Sequence, residues 1–169
     1  MPLSVYHKNL LPPTGQTDGS YDTGVDGDYQ AGYIGLRFID NGDGTVSDAA
    51  TRLMWVKDAQ TAPGAPFDAT MNWTTGLSSC ESLSYAGYTD WRMPNIAEII
   101  SIVDFSASSG PRAYSPIVVA AAIYHSSTTA ENSTSTTYFC DFATAWRSFG
   151  SSKATARMII PVRGGRFNV

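Results

Sequence analysis

The chain has 169 residues, of which 15 % are charged, and a formal net charge of -4. This length predicts one domain with a sizeable hydrophobic core, and the acidic balance argues against a nucleic-acid-binding protein, which is usually basic. No apolar stretch reaches the length of a transmembrane helix, so we expect no insertion into a membrane.

Residues 1–32 are rich in Pro, Gly, Thr and Asp and have no hydrophobic period. This composition predicts an extended arm or linker in front of a domain over residues 33–169. The arm carries an acidic cluster whose carboxylates could share a calcium ion: Asp18, Asp22, Asp26 and Asp28. Apart from this cluster, we expect no cofactor.

The stretch "DNGDGT", residues 40–45, separates two short runs with apolar alternation, "FID" and "TVSD". An EF-hand calcium loop that starts at Asp40 would need an oxygen ligand at its third position and Glu at its twelfth, where this chain has Gly42 and Thr51. Asn, Asp and Gly tolerate the positive φ angles of tight turns, so the stretch predicts a hairpin and not a metal site. A further strand is predicted in "LMWVKD", residues 53–58.

The first helix is predicted within residues 69–85. Trp73, Leu77 and Cys80 recur at i, i+4 and i+7, which places them on one face of a helix. Gly87 follows as the expected helix stop.

The second helix is predicted to open at Asn95, whose side chain can cap it. Glu98, three residues later, can complete a capping box by returning a hydrogen bond to the backbone of the cap residue. The predicted buried stripe of this helix consists of Ile96, Ile99, Ile100 and Val103.

The rest of the chain is largely polar. A Ser/Gly/Pro loop is followed by "PIVVAAAIY", by a Ser/Thr-rich tract over residues 126–137, and by a final third that indicates short strands and loops. Two helices, few long regular elements and many aromatic residues in loops predict an α+β domain. Trp55, Trp73 and Trp91 lie in apolar patterns and are predicted to belong to its core.

The basic residues are concentrated at the C-terminal end. From residue 142 onward the chain has no acidic residue and five basic ones: Arg147, Lys153, Arg157, Arg163 and Arg166. Either this part neutralises the acidic N-terminal part within the fold, or it forms a basic face that attracts an anionic ligand such as a sulfated or acidic glycan.

Two cysteines are present, Cys80 and Cys140, and their spacing matches no zinc or redox motif. They either form one long-range disulfide or lie as small buried hydrophobic residues.

The order of the motifs is more specific than any one of them. "RFIDNGDGTVSDAATRLMWVKDA" is followed by Trp73 and Cys80 on a helix, by "AGYTDWRMPNIAEIISIVD", and by a closing "VRGG" at residues 162–165. This order resembles the Lcl C-terminal domain family over about residues 33–166, a family found in bacterial surface proteins that include collagen-like adhesins.

The resemblance implies a C-type-lectin-like fold with two helices, short mixed strands and long loops. It also implies an extracellular or cell-surface location and attachment to a protein or glycan ligand. Collagen-like adhesins of the family are trimeric and bind sulfated glycosaminoglycans, so the resemblance implies a homo-oligomer as well.

Two departures from the family pattern fall in the C-terminal third. Relatives carry "YWSST" where this chain has "NSTST" at residues 132–136, and Pro161 stands where relatives have a cysteine. Cys80 therefore lacks the partner that the resemblance implies, and Cys140 is no more than a possible substitute. In some lectin-fold proteins this region is diversified by retroelements that mutate adenines, and residues 132–152 are rich in the residue types that such mutation yields from Asn codons.

No reactive constellation is visible in the sequence. His7 and His125 belong to no metal motif, and the chain has neither a Walker A loop nor a GxSxG nucleophile elbow. We therefore expect no enzymatic activity. The alternatives are a structural, oligomerising head of a surface protein and an enzyme of the formylglycine-generating type, which the lectin-like fold also hosts.

The sequence thus predicts a non-catalytic binding surface in the C-terminal third. Tyr- and Ser-rich loops on a rigid scaffold gain contact area at low entropic cost, and the spacing of the aromatic residues here indicates neither a helix nor a regular strand. No catalytic or metal-binding residue is predicted, and the candidate ligand-binding residues are Tyr138, Phe139, Asp141, Phe142, Trp146, Arg147 and Phe149.

Overall fold

Two helices and two antiparallel sheets make up the part of the chain that the computed structural model describes, residues 36–62, 64 and 67–164. Of residues 146–149, only the backbone is described. The predicted arm with its acidic cluster and the predicted domain boundary at residue 33 lie outside the described residues. The elements in chain order are β1 (Phe38–Asp40), β2 (Thr45–Asp48), β3 (Leu53–Val56), α1 (Trp73–Glu81), α2 (Ile96–Ser101), β4 (Ile123–Ala130), β5 (Ser133–Asp141), β6 (Trp146–Ser152) and β7 (Val162–Gly164).

The first sheet has the strand order β1-β2-β3-β7, and the second has the order β4-β5-β6. Neighbouring strands are antiparallel in both sheets. The prediction of an α+β domain with two helices is therefore confirmed. The expected mixture of strand directions is confined to isolated parallel bridges, Asp58 with Val118 and Tyr124 with Met158.

The "DNGDGT" stretch forms the predicted hairpin between β1 and β2. Gly42 and Gly44 have φ angles of 78° and 87°, which a residue with a Cβ adopts only with strain. The carboxylates of the turn accept backbone N–H groups within it: Asp40 from Gly42 at 3.0 Å and Asp43 from Thr45 at 3.0 Å. The carboxylates of Asp40 and Asp43, which raised the question of a cation site, therefore stabilise the turn.

A buried ion pair fastens the end of β2. Arg37 donates from Nε and Nη2 to the two carboxylate oxygens of Asp48 at 3.1 and 2.9 Å, and Nη2 also donates to the carbonyl oxygen of Ser101 at 2.6 Å. The guanidinium carbon lies 4.3 Å from the centre of the Phe38 ring. Because both charges are buried, loss of either partner would leave the other uncompensated.

Helix α1 lies within the predicted range. The side chain of Asn72 caps its N-terminus by accepting a hydrogen bond from the backbone N–H of Thr75 at 2.9 Å. Cys80 is buried and Trp73 and Leu77 pack against the core, so the predicted helix face is confirmed.

Gly87 does not stop this helix, which ends at the C-cap residue Ser82. Gly87 instead has a φ of 81° in a tight turn where Tyr85 and Tyr88 exchange backbone hydrogen bonds of 3.0 Å. Gly87 therefore marks a turn, as its residue type indicates, but this turn follows the helix and does not end it.

Helix α2 has the predicted capping box. The Asn95 side chain accepts from the N–H of Glu98 at 2.9 Å, and the Glu98 carboxylate accepts from the N–H of Asn95 at 2.8 Å. Glu98 also accepts two hydrogen bonds from Arg92, at 2.7 and 2.6 Å, and Arg92 donates to the carbonyl oxygen of Gly164 at 3.3 Å. The start of α2 is thereby tied to β7.

The buried stripe of α2 is narrower than predicted. Ile99 and Val103 are buried, whereas Ile96 and Ile100 are half-buried. Ile102, which the helical period did not select, is fully buried because it follows the end of the helix.

The Ser/Thr-rich tract forms a long hairpin and not a loop. It supplies most of β4 and β5. The strand β5 is nine residues long and includes Tyr138 and Phe139. The hydroxyl groups satisfy carbonyl oxygens around a register shift: Thr137 donates to Thr128 at 2.7 Å, and Ser126 donates to Tyr138 at 2.8 Å. No element was predicted for residues 126–137, so the long hairpin is a finding of the structure, consistent with the preference of Thr for strands. Short strands were predicted after residue 137, and β6 and β7 agree with that prediction.

The core lies between the two sheets and the helices. Its largest fully buried side chains include Trp55, Trp91, Tyr124, Phe67 and Phe142, which confirms two of the three predicted core tryptophans; Trp73 is half-buried. Cys80 and Cys140 are both buried thiols without a disulfide, and burial raises the pKa of Cys80 to about 12. Of the two interpretations of the cysteines, the small buried hydrophobic residue is confirmed.

Candidate binding surface

The predicted site residues divide between the core, β5 and β6. Phe142 is fully buried, and its ring packs edge-on against Tyr124 with 5.1 Å between the ring centroids. Its backbone N–H donates to the carbonyl oxygen of Ala122 at 3.0 Å. Phe142 therefore belongs to the core, and its prediction as a ligand-contacting residue is corrected.

Tyr138 is half-buried near the β4–β5 turn. Its hydroxyl group donates a hydrogen bond of 2.6 Å to the carboxylate of Glu131. This bond lowers the pKa of Glu131 and raises the pKa of Tyr138, because it favours the charged carboxylate and the protonated phenol. The phenol ring is thereby held across the end of the hairpin.

Asp141 closes the turn between β5 and β6. One carboxylate oxygen accepts from the N–H of Ala143 at 2.8 Å, and the other accepts from the hydroxyl of Thr144 at 2.9 Å. Ala145 completes the turn with a φ of 58°. Both oxygens of Asp141 are engaged within the turn, so this residue positions the strand ends.

The three remaining candidates lie on β6. The backbone of Trp146 pairs with Asp141, and the backbone of Arg147 pairs with Cys140. Phe149 lies further along the same strand. The contacts of these three side chains lie outside the described part of the structure.

Phe139 carries a cation on its ring. The guanidinium carbon of Arg157 lies 4.8 Å from the centre of the Phe139 ring, and Nε of Arg157 donates to the hydroxyl of Ser151 at 2.8 Å. Within the described residues, Arg157 has no carboxylate partner within salt-bridge distance. Burial lowers the pKa of Arg157, although a guanidinium remains charged at neutral pH.

A second cation lies on Trp73, which sequence analysis assigned only to the core. The ammonium nitrogen of Lys153 lies 3.9 Å from the ring centre and donates to the hydroxyl of Thr129 at 2.8 Å. The indole N–H donates to the carbonyl oxygen of Ser126 at 2.8 Å, which fixes the ring against β4. In the described part of the chain, Lys153 also has no carboxylate partner.

Backbone pairing holds these two cation–aromatic pairs next to each other. The N–H of Trp73 donates to the carbonyl oxygen of Lys153 at 2.9 Å, and Met71 and Arg157 exchange two hydrogen bonds of 2.9 Å. The segment before α1 thus runs beside the segment after β6. We call the half-buried residues Trp73, Phe139, Lys153 and Arg157 the basic–aromatic surface.

Four other cations of the described chain are paired with carboxylates. Four ion pairs are formed: Arg37 with Asp48, Lys57 with Asp40, Arg92 with Glu98, and Arg163 with Asp90. The excess of basic residues near the C-terminus is therefore only partly compensated, and Lys153 and Arg157 keep their charge available. This excess was the one sequence signal that pointed to them.

His125 lies fully buried on β4, beneath the segment that carries Lys153 and Arg157. Its Nε2 lies 3.0 Å from the carbonyl oxygen of Thr155 and acts as the donor, while Nδ1 has no partner among the described residues. Burial lowers the pKa of His125 to about 4, so the imidazole is neutral at pH 7. Through its contact with Thr155, His125 ties β4 to the segment after β6.

Within the described residues, no three His, Cys, Asp or Glu side chains are grouped as a metal site would require. None of the helices described here combines the length and the apolar character needed to cross a bilayer.

The fold and this surface define an α+β domain of two antiparallel sheets that presents half-buried aromatic residues and uncompensated cations. Comparison with protein families identifies it further. The model of the Lcl C-terminal domain matches residues 44–163, and the chain belongs to this family. A search of curated proteins found no match.

Proposed function

We propose that this chain is a non-catalytic ligand-binding domain of the adhesin or receptor type. Its contact surface is the basic–aromatic surface extended by Tyr138 and by the neighbouring β6 residues. Its ligand is anionic, a sulfated or acidic glycan displayed on a cell surface.

The observation that carries this proposal is the pair of cations without carboxylate partners. Lys153 and Arg157 each have one hydrogen bond to a hydroxyl group and lie over an aromatic ring, which leaves donors available for a sulfate or carboxylate. A cation held over an aromatic face is partly desolvated and fixed in position, so it loses little entropy when it meets an anion.

Glycan chemistry also fits the aromatic side of this surface. A sugar ring has an apolar face that packs on an aromatic side chain, and the half-buried rings of Trp73 and Phe139 lie beside the two cations. A purely electrostatic partner would not need them.

The C-type-lectin-like arrangement is part of this proposal. It is supported by β7, which pairs with β3 and so brings both ends of the described chain into one sheet. We also propose that the domain is located outside the cell or on the cell surface and that it assembles as a trimer, as adhesins of the family do.

Diversification of the surface by a retroelement also belongs to the proposal. Thr134 and Ser135 are exposed on β5, and Tyr138 and Phe139 are half-buried, so substitution at these positions leaves the core unchanged. A reverse-transcriptase gene and an adenine-rich template repeat beside the coding sequence would support this part, and their absence would remove it.

Binding to immobilised heparin, measured by surface plasmon resonance, tests the proposed ligand class, with dextran as the neutral reference. Lys153→Gln and Arg157→Gln are each expected to weaken binding at least about tenfold, because a hydrogen bond to a charged group contributes about 1.5–3 kcal/mol. Binding is also expected to weaken as the salt concentration rises.

Lys57→Gln is the matched control, because it removes the same charge from a lysine that is paired with Asp40 outside this surface. It should bind heparin like the unmodified protein. Equal losses in all three variants would show that net charge alone drives binding, and the proposed surface would then be wrong.

A further inference from the structure

A concave site lies beside the NGDG turn, because Gly44 of that turn belongs to its lining. It is a pocket of about 290 Å³, and its lining includes Gly44, Lys57, Asp58, Thr61, Tyr85 and Val118. Neither Lys153 nor Arg157 contributes to it.

The walls of this pocket are fixed by backbone hydrogen bonds. The N–H of Lys57 donates to the carbonyl oxygen of Gly44 at 2.8 Å, and the N–H of Val118 donates to the carbonyl oxygen of Lys57 at 2.7 Å. The N–H of Ala62 donates to the carbonyl oxygen of Asp58 at 3.0 Å. The pocket is thus formed before any ligand arrives, as in most small-molecule sites.

The apolar part of the pocket is formed by Tyr85 and Val118. Val118 is 46 % exposed, although it is a large aliphatic residue in a chain that buries most of its others. The Tyr85 ring stands above Gly44, whose φ of 87° and contact with the Tyr85 hydroxyl leave no room for a Cβ. Desolvation raises the pKa of Tyr85, and the charges of Asp43 and Asp58 raise it further, so the hydroxyl remains a hydrogen-bond donor.

The polar part of the pocket consists of a carboxylate, an ammonium group and a hydroxyl group. One oxygen of Asp58 accepts from the N–H of Gln60 at 3.0 Å, and its other oxygen has no partner in the described chain. The Lys57 ammonium donates to Asp40 at 2.6 Å with 37 % of its side chain exposed, which leaves two N–H donors. Thr61 adds an exposed hydroxyl group, which both donates and accepts.

These features select a neutral ligand with several hydroxyl groups. An anion would meet the Asp58 carboxylate, whereas a hydroxyl group can donate to Asp58 and accept from the N–H donors that Lys57 keeps beside Asp40. The volume lies near the lower end for ligand pockets, which limits the ligand to about one ring.

We propose that this pocket binds a single neutral sugar ring, with one face of the ring on Tyr85 and Val118 and its hydroxyl groups on Asp58, Lys57 and Thr61. This site is separate from the surface proposed for anionic glycans and does not depend on it.

Titration of the ¹⁵N-labelled protein with methyl glycosides, followed by two-dimensional NMR, tests this site. The probes are methyl α-mannopyranoside, methyl β-galactopyranoside and N-acetylglucosamine, each at up to ~20 mM, which detects millimolar dissociation constants. At least one of them is expected to shift the amide signals of Lys57, Asp58 and Val118. Glucuronate, which is anionic, is expected to bind at least about tenfold more weakly than the best neutral sugar.

Two variants assign the response to the pocket. Asp58→Asn keeps an oxygen that can accept from Gln60 and should reduce sugar affinity about tenfold, since it loses the charge-assisted bonds. Val118→Trp, made at an exposed position, should fill the pocket and abolish the response. Asp68→Asn, at an exposed aspartate outside the lining, should bind like the unmodified protein.

The proposal is overturned if none of the three neutral sugars shifts these signals, if glucuronate binds more tightly than the neutral sugars, or if Val118→Trp leaves the shifts unchanged. Heparin binding is measured on the same variants. It should be unchanged in Asp58→Asn and Val118→Trp, so failure of this site and failure of the anionic surface can be told apart.

Discussion

Trp91 is the residue on which the "DWRMPN" segment depends. It is 2 % exposed, its indole N–H donates to the carbonyl oxygen of Tyr85 at 3.2 Å, and its ring lies against that of Tyr85 with 6.2 Å between centroids. Trp91→Ala is expected to lower the free energy of unfolding by about 3–5 kcal/mol, since it opens a cavity and leaves the Tyr85 carbonyl without this donor. Urea denaturation measures the loss.

Trp91→Phe serves as the comparison, because it keeps most of the ring volume and should cost clearly less than the alanine variant. A Trp91→Ala protein with an unchanged denaturation midpoint would contradict the role of this residue as a core anchor.

His125 predicts a pH dependence of stability. Its pKa falls from 6.5 to about 4 on folding, so the unfolded chain binds a proton more readily than the folded one. The stabilisation is therefore fully present above pH 6.5 and is lost as the pH falls through 6.5 toward 4, with a total of about 3 kcal/mol for this shift. Thermal unfolding between pH 7 and 4 should show this decline.

His125→Gln is the control, since the amide N–H can still donate to the carbonyl oxygen of Thr155 but does not titrate. This variant should lose less stability over the same pH range. If both proteins give parallel curves, the decline belongs to other groups, and the buried neutral state of His125 is not its cause.

At the scale of the elements, α2 depends on its capping box. This helix has only six residues, so the hydrogen bonds at Asn95 are a large share of those that hold it. Asn95→Ala removes the acceptor for the N–H of Glu98 and should cost about 0.5–2 kcal/mol in the free energy of unfolding. Arg92 holds the Glu98 side chain in place, so the N–H of Glu98 cannot easily move to another acceptor. We therefore expect a loss in the upper half of this range.

Asn95→Asp retains an oxygen acceptor at the cap and should stay within a few tenths of a kcal/mol of the unmodified protein. Equal stability of the alanine and aspartate variants in chemical denaturation would show that the cap contributes nothing measurable.

The whole domain is expected to fold without calcium. The turn carboxylates of Asp40 and Asp43 are engaged by backbone N–H groups, and the described residues contain no group of three metal-binding side chains. A calcium site that exists only in the folded state would add about 2.7 kcal/mol at a hundredfold excess over its dissociation constant. Melting temperatures in excess EDTA and in millimolar calcium are therefore expected to agree.

The acidic arm, which lies outside the described residues, is the place where this expectation can fail. A calcium-dependent rise of several degrees that disappears in the Asp26→Asn, Asp28→Asn double variant would identify the arm as a metal site.

Local hydrogen bonding explains what the sequence alone determined. The hairpin at "DNGDGT" and the capping box of Asn95 and Glu98 are closed by residues at most four positions apart, so residue type and spacing are sufficient to predict them. The helical period found α1 in the same way. The family was likewise readable from the order of these local motifs, and the match over residues 44–163 confirms it.

Contacts between distant residues decided the rest. Periodicity did not assign Phe142 to the core or Tyr138 to a strand. The packing of Phe142 against Tyr124 and the pairing of β5 with β4 and β6 determine those places. The candidate site depends on such contacts even more strongly. Lys153 lies 80 positions from Trp73, and only the fold brings its ammonium within 3.9 Å of that ring and leaves it without a carboxylate partner among the described residues. Composition determined that the C-terminal third carries excess positive charge, whereas the tertiary structure decided which charges are compensated, because compensation depends on distances that spacing along the chain does not encode.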